Sequence, residues 1–299
     1  MQKQESAGPQ ELEYLASLFG DPDEVVAGCV DKRIMQLGPS VIPELEKMRQ
    51  REDSLEIKRI LSSKILGYNA AFRVEDLKRL SAGRTAVPFT IHEGAFLISS
   101  MLNPQIRRDK FEDAFFQCSM EIHNELSDQR TAIENVGLFN HIFYHRLRFT
   151  ICDQQVTTEK NAMIYEALCS RRGNPFAISL IYMMLAEDAG LPLYPLCFPG
   201  GFVPAYVEKS REMFYINIFQ NGEVFQENKL KDYMIEQGMS VDHTRFLIRR
   251  PTVLLNIYLE SLAYLYGNLE AGTSLDIVQK ALATLGDERF LAADERQEG

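Results

Sequence analysis

Residues 174–190 read NPFAISLIYMMLAEDAG, and the fold turns on where this stretch lies. Asn174 suits an N-cap, Pro175 the first helical position, and Gly190 the left-handed residue that ends a helix. From Phe176 to Leu185 apolar side chains fall on nearly every side, so this helix has no wet face and belongs inside the protein. Strand-like runs follow: LYPLCF at 193–198, FVPAYVE at 202–208, MFYINIF at 213–219, and GEVF at 222–225 after an Asn221-Gly222 turn. Ahead of the helix, EGAFLISSML, DKFEDAFFQCSMEIHNEL, ENVGLFNHIFYHRL and NAMIYEALCSRR repeat apolar residues at helical spacing, interrupted by a polar loop, CDQQVTTEK. Helices first and antiparallel strands after make an α+β domain, a buried helix against a small antiparallel sheet.

Helical regions flank this core. Between Glu11 and about Leu66, Asp21-Pro22-Asp23-Glu24 reads as an N-cap with proline at the first helical position, and the helix it opens ends at Gly38. Paired helices with small turns, one opening on DPD and one closing on LGP, look like a HEAT-type repeat over residues 1–85. Residues 70–90 end in a Gly-, Ser- and Pro-containing segment that suits a junction. The core then spans 86–238. From about His243 the pattern is helical again, FLIRRPTVLLNIYLESLAYLYG and SLDIVQKALATLG, and residues 239–299 resemble one tetratricopeptide-like hairpin with a frayed end.

Composition narrows the function. The chain of 299 residues is 45% hydrophobic and 25% charged, an ordinary globular balance. A net charge of −10 argues against nucleic acid and anionic membrane surfaces, which need a basic face. Of the arginine pairs, 107–108, 171–172 and 249–250, each is read as solvated surface. MQKQESAGPQELEY has no apolar region of the secretory kind and no run is long enough to span a bilayer, so a cytoplasmic protein without membrane partners is expected. The five cysteines, 29, 118, 152, 169 and 197, are scattered without a C-x-x-C pair and read as buried, reduced thiols.

EGAFLIS at 93–99, ENVGLFNHIF at 134–143, Asn161, RRGNPFAISLIYMMLAEDAGLPLY at 171–194, and FPGGFVPAY followed by FYINIF together resemble the SirB-type transglutaminase-like proteins over roughly residues 90–225. The resemblance implies a papain-like transglutaminase core. In such a core a nucleophile sits at the N-terminus of the buried helix, a histidine on the first strand of a pair, and an acid on the next strand. The family commonly carries serine in a G-x-P-x-S-L pattern, histidine in a P-G-H-F-like turn, and a third strand like F-I-D-P-F or Y-I-N-P-F. Matched block by block, Ala177 takes the nucleophile position, Gly201 the histidine position and Asn217 the acid position. Ala177 has no nucleophile and Gly201 no proton acceptor. Ser179 is no substitute on this account, because two residues turn a helix by about 200° and point it away from whatever Ala177 faces. Cys197 lies on the neighbouring strand. No histidine occurs between Ala177 and Asp242.

Other constellations are weaker. His141 and His145 are four apart on a helix and would share a face, but no H-E-x-x-H glutamate lies between them; Glu134 and Cys152 are the only further metal ligands suggested, and no metal or cofactor is expected. Glu93, after His92, is read as satisfying backbone donors at a helix N-terminus or joining a buried polar network. Gly200-Gly201 joins two strands, so a hairpin turn is preferred to a phosphate cradle. Tyr182, Met183 and Met184 read as core. Tyr215, Asn217 and Phe219 alternate on one strand face and, with Asn174, are expected to line a residual cleft. The reading is a non-catalytic protein that binds a protein or peptide. Its alternatives are a cysteine-dependent hydrolase or acyltransferase, with Cys152 beside His141 or His145, and a small-ligand sensor using the degenerate cleft.

Overall fold

The computed structural model describes residues 9–83, 88–152, 157–198, 201–209, 211–236, 246–247 and 250–286. Four helices open the chain: α1 (Pro9–Ser17), α2 (Glu24–Leu37), α3 (Val41–Arg51) and α4 (Leu55–Ser81). They close a small core of their own around Leu12, Ile34, Leu37, Leu45 and Ile65. Asp23, not Asp21, caps α2, accepting from the Val25 N–H at 2.8 Å, so Pro22 stands outside the helix. α4 is twice the length that its LEIKRILSSKILGY run suggests. Its first half closes the N-terminal core, and beyond Ala70 it packs on the next helix, so the chain has no break at residue 70. Residues 84–87 of the expected junction lie outside the described residues.

The remaining helices are α5 (Ile91–Leu102), α6 (Arg108–His123), α7 (Ala132–His141), α8 (Glu159–Ala162), α9 (Ile164–Ser170), α10 (Pro175–Asp188), α11 (Glu227–Glu236), α12 (Pro251–Asn268) and α13 (Gly272–Leu285). α10 is the pivot. Every residue from Ala177 to Ala186 is buried, and α5, α6, α8, α9 and α12 all touch it. Its start follows local chemistry: the Asn174 side chain accepts from the Ala177 N–H at 2.9 Å, and Pro175 opens the first turn. Its end is Gly190, whose φ of +70° lets the chain turn back.

The strands are β1 (Thr150–Ile151), β2 (Arg172–Gly173), β3 (Leu193–Phe198), β4 (Gly201–Glu208), β5 (Arg211–Asn217), β6 (Glu223–Phe225) and β7 (Phe246–Leu247). β1 and β2 form a short parallel pair beside the start of α10, and the other five form an antiparallel sheet in the order β6-β5-β4-β3-β7. One face packs on α10 through Leu193, Phe214 and Ile216, the other on α11 through Val203, Ala205, Tyr215, Leu230 and Met234. The architecture is thus the α+β arrangement expected, with two differences. Phe246 and Leu247, expected in a helix, add an edge strand, and the C-terminal helix begins at Pro251. α12 and α13 pack on each other and on α4 and α5, and bury Leu254, Leu255 and Tyr258 in the main core. The frayed tail expected at the C-terminus lies outside the described residues.

A buried polar link ties α7, α10 and the β5–β6 turn together. Tyr182 donates to Asn140 Oδ1 at 2.6 Å, and Asn140 Nδ2 donates to the Gly222 carbonyl at 2.6 Å. Gly222 has a φ of +78°, and a Cβ there would sit 2.3 Å from Asn140 Cγ, so neither its conformation nor its space admits another residue. Tyr182 is core, as expected, with its hydroxyl engaged. Asn140→Ala strands two buried groups and is expected to cost about 2–4 kcal/mol in urea unfolding, against about 1 kcal/mol for Tyr182→Phe. Equal, near-zero costs would contradict the link.

Candidate functional site

β4 pairs with β5 from Glu208–Arg211 to Ala205–Tyr215 and no further, although β4 extends back to Gly201 and β5 on to Asn217. Pro204 accounts for the stop. It lies opposite Pro195 of β3, and neither proline has an N–H, so this pair exchanges no hydrogen bonds across β3 and β4. The Pro204 backbone therefore faces β5 without a donor. There the strands border a cleft of about 620 Å³. Phe202, Val203 and Pro204 line it from one strand, Ile216, Asn217 and Ile218 from the other. Neighbours on a strand point to opposite faces, so a cavity lined by consecutive residues lies between the strands rather than on one face. Ser179 of α10 borders it on one side, Leu230 and Tyr233 of α11 on the other, and the rings of Phe198, Phe219 and Phe225 complete the wall.

The cleft is largely apolar and its polar groups are mostly committed. Asn217 Oδ1 accepts from the Phe219 N–H at 3.1 Å and its Nδ2 donates to Gln220 at 3.0 Å. Lys229 pairs with Glu223 at 3.0 Å, and Asp232 and Glu236 lie exposed at the rim. Ser179 is different. It is 6% exposed, and among the described residues its hydroxyl has no hydrogen-bond partner.

Of the positions singled out in the sequence, Asn217 and Phe219 line this cleft. Ala177 is fully buried in the main core. Asn174 is fully buried as the α10 cap, and its Nδ2 has no partner among the described residues. Tyr215 turns to the α11 side and donates to Glu212 at 2.6 Å. The strand carrying it ends at Asn217, and Ile218–Gln220 form a 3₁₀ turn, so Phe219 reaches the cleft from a turn instead of by strand alternation. Gly201 opens β4 without positive φ, and among the described residues a Cβ there would meet only Phe198 at 3.9 Å, so neither strain nor crowding from them demands glycine. Its partner Gly200 lies outside the described residues. The roughly 200° between Ala177 and Ser179 is realised, but it is Ser179 that the rotation brings to the cleft.

The remaining candidates resolve into structure. His141 ends α7 and His145 sits in a following π-helical turn, Ile142–Arg146, their rings 5.2 Å apart. Glu134 completes a capping box with Thr131, and Cys152 lies close to the Gly173 carbonyl, with neither histidine in contact among the described residues. No group of three or more potential ligands that could hold a metal occurs among the described residues. Cys118 and Cys197 are buried, while Cys29, Cys152 and Cys169 are exposed, against the burial expected of all five. Glu93 pairs with Arg108 at 2.6 and 2.8 Å; it is Glu187, at the far end of α10, that accepts the Ile91 N–H opening α5, at 2.8 Å. Burial pushes the Glu187 carboxyl up to about 7. Burial likewise lowers His92, which packs on Phe115 at 4.3 Å, against the pull of Glu112.

The residues that carry the buried helix and most of the sheet match known proteins in sequence. Residues 109–249 match the family described as the Transglutaminase-like superfamily. The chain is 23% identical over 143 residues to a UPF0162 protein of Vibrio cholerae, 48% of this chain and 53% of that protein. It is 26% identical over 108 residues to F-box only protein 21 of Homo sapiens, 34% of this chain and 17% of that protein. The same protein of Pongo abelii matches at 25% over 131 residues, 42% of this chain and 20% of that one. The chain thus spans about half the length of the bacterial relative and a fifth or less of the F-box proteins. No solved structure matches significantly. No helix among the described residues is long and apolar enough to cross a membrane.

Glu187 supplies a pH test. Its carboxyl holds a proton in the native state up to about pH 7, whereas the unfolded chain releases it near 4.5. The native state binds more protons in this window, so this group's contribution falls as pH rises from about 4.5 to 7. Glu187→Gln keeps the acceptor for Ile91 and removes the titration. Relative to the unmodified protein, the variant is expected to gain about 2–3 kcal/mol in unfolding free energy between pH 4 and pH 8. Parallel pH profiles would show that the carboxyl is not held up.

Proposed function

We propose that this chain is a non-catalytic, SirB-type transglutaminase-like protein that works by binding a protein or peptide segment in the cleft between β4 and β5. The resemblance supports the proposal: matched block by block, the family's nucleophile and histidine positions fall on Ala177 and Gly201, side chains that neither attack nor shuttle a proton, and the sheet beside them carries an open cleft. A Cβ at Gly201 would meet nothing closer than Phe198 at 3.9 Å among the described residues, so crowding at that atom does not require glycine. Ser179 does bring a hydroxyl to the cleft. A serine needs a base in contact to become a nucleophile, and no described base touches it. The helical regions at either end, HEAT-like and tetratricopeptide-like in outline, would offer further contact surface.

The cleft volume also suits a small molecule, which favours a ligand sensor as the second reading. The cysteine-dependent alternative finds no such support, since among the described residues no hydrogen bond joins Cys152 to either histidine.

Turnover and binding separate these cases. Incubated with peptide amides, esters and amine donors, the purified protein is expected to release no product above buffer, while binding peptides from a random library. Turnover that disappears in Ser179→Ala would overturn the non-catalytic assignment. Ligand-linked thermal stabilisation by small molecules, with no peptide retained, would favour the sensor instead.

A further inference from the structure

Ser179 is the feature that neither packing nor the proposed binding role explains by itself. It is more than nine-tenths buried, borders the cleft, and has no partner among the described residues, while its oxygen is not sealed from solvent. Such a hydroxyl is satisfied by water while the cleft is open, and covering it without a partner is unfavourable. Around it the wall is aromatic: Phe198, Phe202, Phe219, Phe225 and Tyr233. Phe219 and Tyr233 are 63% and 47% exposed, so these two rings stand at the mouth, where an incoming group would meet them first.

These observations define an occupant by exclusion. An aromatic wall favours a ring, which gains both area and edge-to-face contacts. Among the described residues a charged tip would find no free opposite charge inside, because the cationic Lys229 is paired with Glu223 and the acids Asp232 and Glu236 stay at the exposed rim. A wholly apolar tip would displace water from Ser179 and leave its hydroxyl unpaired. A hydroxyl-tipped ring meets both conditions, since each hydroxyl can donate or accept. The β4–β5 ladder ends beside the cleft, so strand edges face whatever chain carries that ring.

We propose that the cleft holds a tyrosine side chain from an extended segment of a partner protein, and that Ser179 reads its hydroxyl. This rests on the peptide-binding role above and adds which side chain is chosen and what chooses it.

The test uses the full chain and four fluorescent nonapeptide libraries, identical except for tyrosine, phenylalanine, lysine or glutamate at the central position. The tyrosine library is expected to bind roughly three- to tenfold more tightly than the phenylalanine library, the worth of one neutral hydrogen bond. Lysine and glutamate libraries are expected to bind weakest. Ser179→Ala, a small change in a helix already rich in apolar residues, is expected to bring the tyrosine-to-phenylalanine ratio close to one. Phe219→Ala, at an exposed rim position, is expected to weaken both without changing their ratio. Peptides that bind with equal tyrosine and phenylalanine affinity, or a ratio that survives Ser179→Ala, would overturn the inference and leave peptide binding standing. Failure of all four libraries to bind would overturn both.

Discussion

A helix without a polar face must be surrounded, and the protein is organised around meeting that demand. α10 buries ten consecutive residues, from Ala177 to Ala186, against helices and sheet together. Its entry is fixed by the Asn174 cap, its exit by Gly190, and its middle by the Tyr182–Asn140–Gly222 link. The C-terminal hairpin belongs to the same solution. Tyr258 of α12 donates to the Ala162 carbonyl at 2.7 Å, and Leu255 packs so closely over Gly94 that a Cβ there would lie 2.1 Å from it. α12 therefore forms part of the wall that keeps α10 dry, with α13 packed against α12, α4 and α5.

The same enclosure decides what the site can do. With Ala177 sealed in the core, the start of the buried helix offers no reactive side chain to solvent. The cleft lies along the sheet, where Pro204 ends the β4–β5 ladder. That cleft has an aromatic wall, and the Ser179 hydroxyl that borders it has no hydrogen-bond partner among the described residues. The clearly raised carboxyl, Glu187, stands at the opposite end of α10, where it caps α5.

Much of the architecture was legible because it is written in short-range chemistry. The Asn-Pro start and Gly190 end of α10, its unbroken apolar run, and the alternating strands after it are all local signals. What escaped was set by tertiary contacts. α4 continues past residue 70 because α5 and α13 cover it, a fact absent from its own periodicity. Phe246 and Leu247 become a strand only because the edge of β3 is there to pair with. The cleft was half legible. Asn217 and Phe219 line it, but Tyr215 was assigned the wrong side, since strand alternation alone does not say which face meets which helix. Ser179 was set aside for facing away from Ala177, when the geometry that matters is the reverse. Pro195 and Pro204, nine residues apart and opposite in the β3–β4 hairpin, were the available signal for a broken ladder.

The central claim is that the sheet is open between β4 and β5, and backbone amide hydrogen exchange tests it most directly. The Phe202 and Tyr206 amides both face β5 in the register that the proline pair imposes, but only Tyr206 lies in the paired part of the ladder. An open sheet predicts that Phe202 exchanges much faster than Tyr206 in the free protein. Equal, strong protection at both positions would mean a continuous ladder and no cleft for a ligand to enter.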